Sequence, residues 1–302
     1  MGNRYVILTA AKNEEAYIAN AIESVLRQSV LPLAWFIMDD GSTDRTAAIV
    51  GTYAARHPFI HLHATGQDLM KRDFGSKDRA INAAYALAKR LDFEFVGVQD
   101  ADIAPEKSCY YEAILHSFQK NPRLGIAGGY IYEQHKELWH CRKHNSMDWV
   151  AGGIQMFRRI CFDEIDGFTP LRYGGADSLT QINARLRGWE IQTCPDLRVF
   201  HYRRSSTANG KWRGLFREGM MDASFGSHPI FELFKCCGRA TSRPIVAGGA
   251  IRFCGYLWWK FTGRKPLIQP GKVAFLRKQQ LTKLKNRLWP LGARSRRQPS
   301  GF

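Results

Sequence analysis

The chain has 302 residues, 45% of them hydrophobic, enough for a globular protein with a sizeable core in one large domain, or one domain with an appendage. Its formal net charge of +17 is carried by one end: from Lys211 onward there are 19 Lys+Arg against 3 Asp+Glu, which leaves +1 for everything before and argues against a nucleic-acid-binding body. The seven cysteines are odd in number and lack C-x-x-C spacing, which excludes a disulfide framework or a zinc site and reads as reduced cytosolic thiols.

Met1-Gly2-Asn3-Arg4 runs directly into a strand-like segment, Tyr5 to Thr9, with no signal-peptide pattern, so a cytoplasmic protein is expected. Ala10 to Glu15 forms a turn into a helix, Ala16 to Gln28, whose Ile18, Ala21, Ile22, Val25 and Leu26 share one apolar face. A second strand, Ala34 to Met38, ends in Asp39-Asp40-Gly41-Ser42-Thr43-Asp44. Ser42 or Thr43 is expected to cap the helix that follows towards Arg56. Strand, helix, strand, helix implies parallel pairing in an α/β sheet, where ligands bind outside the carboxyl ends of the strands.

His57 to His63 reads as a third strand. The polar loop Lys71 to Lys77 then opens a helix from Asp78 to about Arg90, and Lys77 reads either as a solvated helix-start residue or as a phosphate contact. Phe93 to Val98 is a buried strand leading into Gln99-Asp100-Ala101-Asp102. Alternation along an extended chain sets both carboxylates on one side, where they suit a hard divalent cation bridging substrate phosphates; an Asx turn closing the strand is the plain alternative. Neither G-x-G-x-x-G after the first strand nor G-x-x-x-x-G-K-[ST] is present, so a dinucleotide oxidoreductase and a P-loop enzyme are not supported.

The succession Thr9-Ala10-Ala11-Lys12-Asn13-Glu14-Glu15, then Met38-Asp39-Asp40-Gly41-Ser42-Thr43-Asp44, then Gln99-Asp100-Ala101-Asp102 resembles glycosyltransferase family 2, inverting enzymes that use nucleotide-sugars. The resemblance covers residues from about 3 to 205 and implies a GT-A fold: a Rossmann-like, mixed, mostly parallel sheet flanked by helices. It implies that Thr9 and Asp40 line the nucleoside pocket, with Asp40 accepting hydrogen bonds from the base, and that Glu14 and Lys77 contact base and phosphate. It also implies that Asp100 touches ribose and metal while Asp102 is the direct metal ligand. The donor it suggests is a UDP-sugar. A helix-capping turn is the competing role for Asp39.

Trp149 to Phe157 reads as a strand whose Gly152-Gly153 pair allows close backbone approach to a ligand, or merely a bulge. Phe162 to Phe168 is a short helix closed by Gly167. Tyr173-Gly174-Gly175-Ala176-Asp177 then enters an amphipathic helix with Leu179, Ile182 and Leu186 expected inward. By the resemblance Asp177 is the catalytic base; by position alone it is an N-cap. The family commonly shows Glu-Asp here, and this chain has Ala176-Asp177, which keeps the base and removes a neighbouring carboxylate. The strand Leu197 to Tyr202 carries His201, which the resemblance makes a third metal ligand; two carboxylates and an imidazole shift the preference from Mg²⁺ towards Mn²⁺. Arg203, Arg204 and Lys211 lie in a Ser-, Asn- and Gly-containing stretch that reads as a lid over the diphosphate or as a flexible basic loop.

These features place a catalytic domain at 1–228 and a basic helical region at 229–302. Ile245 to Trp259 is apolar but broken by Arg252, too short to span a bilayer. Aromatic Phe253, Tyr256, Trp258, Trp259 and Phe261 among cations, and a second basic amphipathic helix from Val273 to Trp289, suit an anionic membrane surface; the alternative is a subdomain packing its aromatics on the core. The expected protein is a single-sugar transferase acting on a glycan or lipid-linked acceptor, peripheral on the inner face of the cell membrane, with nucleic acid not expected as a partner. The reading set against it is a non-catalytic anionic-surface binder built on the same scaffold.

Overall fold

The computed structural model describes residues 4–66, 73–135, 138–142, 145–203, 211–238 and 247–288. The chain divides into two compact units at 205/206, earlier than the expected boundary at 228/229. The reason lies in α7 (Lys211–Ser224), which crosses α9 (Ala247–Phe261) so closely that a Cβ on Gly219 would lie 1.8 Å from the Arg252 carbonyl oxygen and one on Gly255 2.0 Å from that of Phe216. Glycine is the residue that lets two helix backbones meet at this distance.

The first unit is a mixed α/β sheet of nine strands with helices packed on it. Its leading half is the chain of β-branched and aromatic segments read above: β1 (Tyr5–Ala11), β2 (Ala34–Asp39), β3 (Ile60–Ala64) and β4 (Phe95–Gln99). They stand in the order β3-β2-β1-β4, all parallel, with Ala11 opposite Asp39 and Leu8 opposite Val98. Helices α1 (Ile18–Leu26), α2 (Thr46–Ala54) and α3 (Ser76–Ala88) supply the crossovers. Beyond β4 the sheet continues through β8 (Ile154–Arg158), β6 (Leu124–His135), β9 (Glu190–His201) and β5 (Ile103–Pro105), with β7 (Leu138–Cys141) paired to β6. Here β4–β8, β8–β6 and β9–β5 are antiparallel and β6–β9 is parallel. The remaining helices of this unit are α4 (Tyr110–Lys120), α5 (Arg159–Glu164) and α6 (Ala176–Leu186). The core fills with Ile7, Trp35 and Phe95 from one face of β1, β2 and β4, and with Tyr111 and Phe118 from α4.

Four local expectations are corrected. The start of α2 is served by Asp44, whose Oδ1 accepts from the Thr46 N–H at 2.9 Å, while Ser42 and Thr43 bond to Asn13 and tie the two loops together. Gly152 and Gly153 lie in a turn before β8, not within a strand. Leu186 is exposed, unlike Leu179 and Ile182. Asp100 and Asp102 flank a turn between β4 and β5, so strand alternation does not govern where their side chains point.

In the second unit α8 (Pro229–Gly238) and α10 (Pro270–Leu288) join α7 and α9. Arg252 does not interrupt an apolar face; it is buried and pairs with Glu218, with Asp222, and with Glu232 at 3.3 Å. Lys235 adds a bond to Asp222 at 2.8 Å. Tyr256 and Trp259 are buried, whereas Trp258 and Phe261 face outward, so the aromatic run is divided between core and surface. No helix among the described residues is long and apolar enough to cross a membrane.

Candidate active site

Because β1, β2 and β4 are parallel, Thr9, Asp40 and Asp100 arrive at one edge of the sheet, and the strand order turns back between β1 and β4, where α/β sheets hold their ligands. Thr9 itself is fully buried there. Its hydroxyl donates to the Gln99 carbonyl at 2.7 Å and accepts from Trp35 Nε1 at 2.9 Å, which pins the ends of β1, β2 and β4 to each other. Asp40 is nearly buried, with Thr65 Oγ1 on its Oδ1 at 3.0 Å, and Asp39 closes an Asx turn by accepting from the Ser42 N–H at 3.0 Å.

The Asp100–Ile103 turn is braced from behind by Gln99. Its Nε2 donates to the Ile103 carbonyl at 2.8 Å and its Oε1 accepts from the Tyr111 hydroxyl, so a fully buried polar side chain fixes the exit of β4. In front, the two aspartates part. Asp100 pairs with Lys77 in the first turn of α3, while Asp102 faces His201 Nε2 at 3.3 Å and Arg203 Nε at 3.4 Å. The antiparallel β5–β9 pairing, with Ile103 opposite His201, brings the histidine there. His201 Nδ1 lies 3.8 Å from Glu133 Oε1. Burial works against charge on His201, but the carboxylates of Asp102 and Glu133 beside it outweigh this and raise the imidazole to about 9. Asp102 is held below the ordinary carboxylate range: burial opposes this, and His201, Arg203 and Lys77 prevail. Arg203 also pairs with Glu14, so it is tied into the site and is no free lid residue; Arg204 and the loop 67–72 lie outside the described residues, as does the side chain of Lys211. Burial, helped by Asp102 and Asp100 and resisted by Arg203, lifts Glu14 to about 7.

A cleft of about 290 Å³ opens beside Asp100, at the small end of the range for ligand pockets. Lys77, Asp78, Arg142 and Asp177 line it, with Phe74, Ile81 and Phe168 as its apolar wall. Gly152 and Gly153 make this arrangement possible. A Cβ on Gly152 would stand 2.5 Å from Asp177 Oδ2, and one on Gly153 would stand 3.1 Å from Asp100 Oδ2. The glycine pair thus gives room to two carboxylates of the protein itself. Asp177 sits in the first turn of α6, whose N-cap is Gly175 in the left-handed region with φ 92°, so Asp177 is not the cap. Burial pushes Asp177 above the usual carboxylate range, Asp100 adds to this, and Lys77, the Ser178 N–H and Arg142 oppose it. Asp78 is raised to about 7 by burial, then by Asp177 and Asp100, against Lys77 and the Leu171 N–H. Burial disfavours charge on Lys77, yet Asp100, Asp78 and Asp177 hold its ammonium above its ordinary range.

Asp78, Arg142, Glu133 and Gln99 thus belong to the site without a distinctive signal in the sequence. Gln99 came nearest to one, as a polar residue ending an apolar strand. Among the described residues no three His, Cys, Asp or Glu side chains are arranged to hold a metal ion. The donor chemistry nonetheless fits a hard divalent ion: two carboxylates and an imidazole from one sheet edge, with cations already facing each carboxylate.

Residues 6–179 match the family model described as Glycosyl transferase family 2. Among curated proteins, the chain is 28% identical over 123 residues to the poly-beta-1,6-N-acetyl-D-glucosamine synthase of Staphylococcus epidermidis, covering 40% of this chain and 27% of that protein. It is 33% identical over 119 residues to the chondroitin synthase of Escherichia coli, covering 39% and 16%. It is 27% identical over 135 residues to the 4,4'-diaponeurosporenoate glycosyltransferase of Staphylococcus aureus, covering 44% and 33%, so the match spans a third or less of each relative's length. The fold is shared with the Staphylococcus aureus protein TarS, residues 1–349, in complex with UDP-GlcNAc: TM-score 0.55, 14% identity, 94% of this chain and 81% of that one. A mannosyltransferase from Pyrobaculum calidifontis in complex with GDP-Man and Mn²⁺ gives TM-score 0.54 at 16% identity, over 95% and 88%.

Proposed function

The chain belongs to glycosyl transferase family 2, and on that premise we propose that it moves one sugar, with inversion, from a nucleoside-diphosphate sugar to a glycan or lipid-linked acceptor. The observation that carries this reading is the meeting of Asp177 and Lys77 at one cleft, with Asp100 paired to Lys77 behind it and two adjacent glycines clearing the space for both carboxylates. Inverting transfer is a single displacement in which the acceptor hydroxyl attacks the anomeric carbon opposite the leaving diphosphate, and a group must take the proton. Asp177 is that base. Its burial raises its proton affinity, as a base requires, and Lys77 and Arg142 oppose that rise.

Asp40 accepts from the base of the nucleotide, and Glu14 lies beside it; Thr9 contributes main chain only, its hydroxyl being spent on Gln99 and Trp35. Lys77 meets the diphosphate once donor competes for it with Asp100. Asp100, Asp102 and His201 would hold a divalent ion, Mn²⁺ or Mg²⁺, which when bound supplies positive charge to the leaving diphosphate. Glu133 faces the imidazole from its other side at 3.8 Å. UDP is the first nucleotide to try. A lipid-linked acceptor would bring the enzyme to an anionic membrane surface on the cytoplasmic side, and the basic second unit suits that position.

Calorimetric titration with a panel of nucleoside diphosphates, with and without Mn²⁺, tests the donor side. Metal-dependent binding of one nucleotide is expected, lost in Asp102→Asn. With that donor, Asp177→Asn is expected to cut turnover by roughly 10²–10⁴-fold at unchanged donor affinity. Loss of donor binding in Asp177→Asn would move this residue out of the base role.

A further inference from the structure

Among the described residues of the second unit the acids are paired and most of the cations reach the surface. Of the 19 Lys+Arg and 3 Asp+Glu from Lys211 onward, all three acids, Glu218, Asp222 and Glu232, pair with Arg252 in the helical cluster. On this background α9 presents two unlike faces. Inward, Gly249, Arg252, Gly255, Tyr256 and Trp259 are buried against α7 and α8. Outward, Cys254, Trp258 and Phe261 follow one another at i, i+4 and i+7, the spacing of a single stripe. Trp258 is 55% and Phe261 83% exposed, the latter more than any other large apolar side chain among the described residues. Leu267, in the segment after the helix, is 51% exposed, and Lys260, Arg264 and Lys265 flank Phe261 in sequence, Lys260 over the Tyr256 ring and Arg264 over the Trp259 ring.

We propose that the outward stripe of α9, with the basic turn that follows it, is the seat of an anionic lipid bilayer, on which the helix lies flat. The proposal deepens the membrane-side reading above and rests on it. A bilayer surface is the partner that satisfies both halves of the patch, because its acyl boundary takes Trp258, Phe261 and Leu267 while its headgroups meet Lys260, Arg264 and Lys265. A second copy of the chain would bring an equally cationic unit against this one. A nucleic acid would match the charge and leave Phe261 in water.

The test uses the full chain. Cosedimentation is measured with vesicles of phosphatidylglycerol and phosphatidylcholine, with phosphatidylcholine alone for comparison, and with two paired variants, Trp258→Asp/Phe261→Asp on α9 and Ile230→Asp/Phe234→Asp on α8, whose side chains are also exposed. Wild type is expected on the anionic vesicles, with binding falling about tenfold without phosphatidylglycerol or in high salt. The α9 pair is expected to lose on the order of 100-fold in partition, and the α8 pair to stay within about twofold of wild type. Quenching of tryptophan fluorescence by bromolipid, compared between wild type and Trp258→Phe, covers the case in which the aspartate pair fails to fold; Trp258→Phe is expected to remove most of the quenching. No binding of wild type to anionic vesicles overturns the membrane reading and this face together. Binding retained by the α9 pair, or quenching unchanged in Trp258→Phe, overturns the face alone. Loss of binding in the α8 pair with the α9 pair unaffected moves the surface to α8 and overturns the assignment.

Discussion

At the scale of single residues, the site separates groups that touch a ligand from groups that hold the platform. Thr9 holds the platform. Thr9→Val leaves the Trp35 indole N–H and the Gln99 carbonyl buried without their partner, at a cost of about 1–3 kcal/mol for each group so stranded. A lower urea midpoint with unchanged nucleotide affinity is therefore expected; a large loss of affinity at unchanged stability would return Thr9 to the ligand. Asp78 acts through charge. It shares Lys77 with Asp177 and Asp100, and the charges of both raise its proton affinity, a repulsion that Asp177 feels in return. A base must be deprotonated, so kcat/KM should rise with pH through a limb above the ordinary carboxylate range. In Asp78→Asn one like charge is gone, the proton affinity of Asp177 falls, and the limb moves to lower pH. A pH–rate profile unmoved by Asp78→Asn would contradict this account.

At the scale of elements, the helices of the second unit depend on two kinds of contact, one steric and one ionic. In Gly255→Ala the new methyl would stand 2.0 Å from a backbone oxygen of α7, which the helices relieve only by moving apart. A loss of at least ~2 kcal/mol is expected in chemical unfolding of the full chain followed by tryptophan fluorescence. The ionic contact sets three carboxylates against two cations, Arg252 and Lys235, and leaves one negative charge too many in a buried place. Glu232 answers this by keeping its proton: burial, with Asp222 beside it, pushes it up to about 8 from its ordinary 4.5. The folded state therefore binds more protons than the unfolded chain between those two values, so stability is greatest below pH 4.5 as far as this group is concerned and declines as pH rises towards 8. Glu232→Gln removes the titrating group and should flatten that decline in thermal unfolding across this window; an unchanged slope would place the proton elsewhere.

At the scale of the whole molecule, the parts legible in the sequence were those written in periodicity and strand ends. The run β1-α1-β2-α2-β3-α3-β4 follows from apolar spacing, and it alone brings Asp40 and Asp100 to one edge of the sheet. The order of the later strands is not written locally: β6 pairs with β9 and β8 with β4 across long separations, and no turn chemistry announces it. Asp78 and Arg142 escaped for the same reason, since a charged residue in the first turn of a helix or after an exposed strand reads as solvated until the fold closes over it. The basic region misled in the opposite direction. Arg252 looks like a break in an apolar helix and proves to be its centre, because a residue's neighbours in space outweigh its neighbours in sequence.

The glycines before β8 carry a last consequence, for which acid can occupy position 177. Main chain at Gly152 stands so close to the Asp177 carboxylate that even one added carbon has nowhere to go from that side. Glutamate has nearly the acidity of aspartate, so on chemistry alone the exchange would be silent. On volume it is not. Asp177→Glu must push its longer arm away from Gly152, and, with Asp177 as the proposed base, a variant that keeps its acid while losing its activity is the expected result. Mutational drift at this point is then confined by shape, with the peptide backbone acting as the gauge.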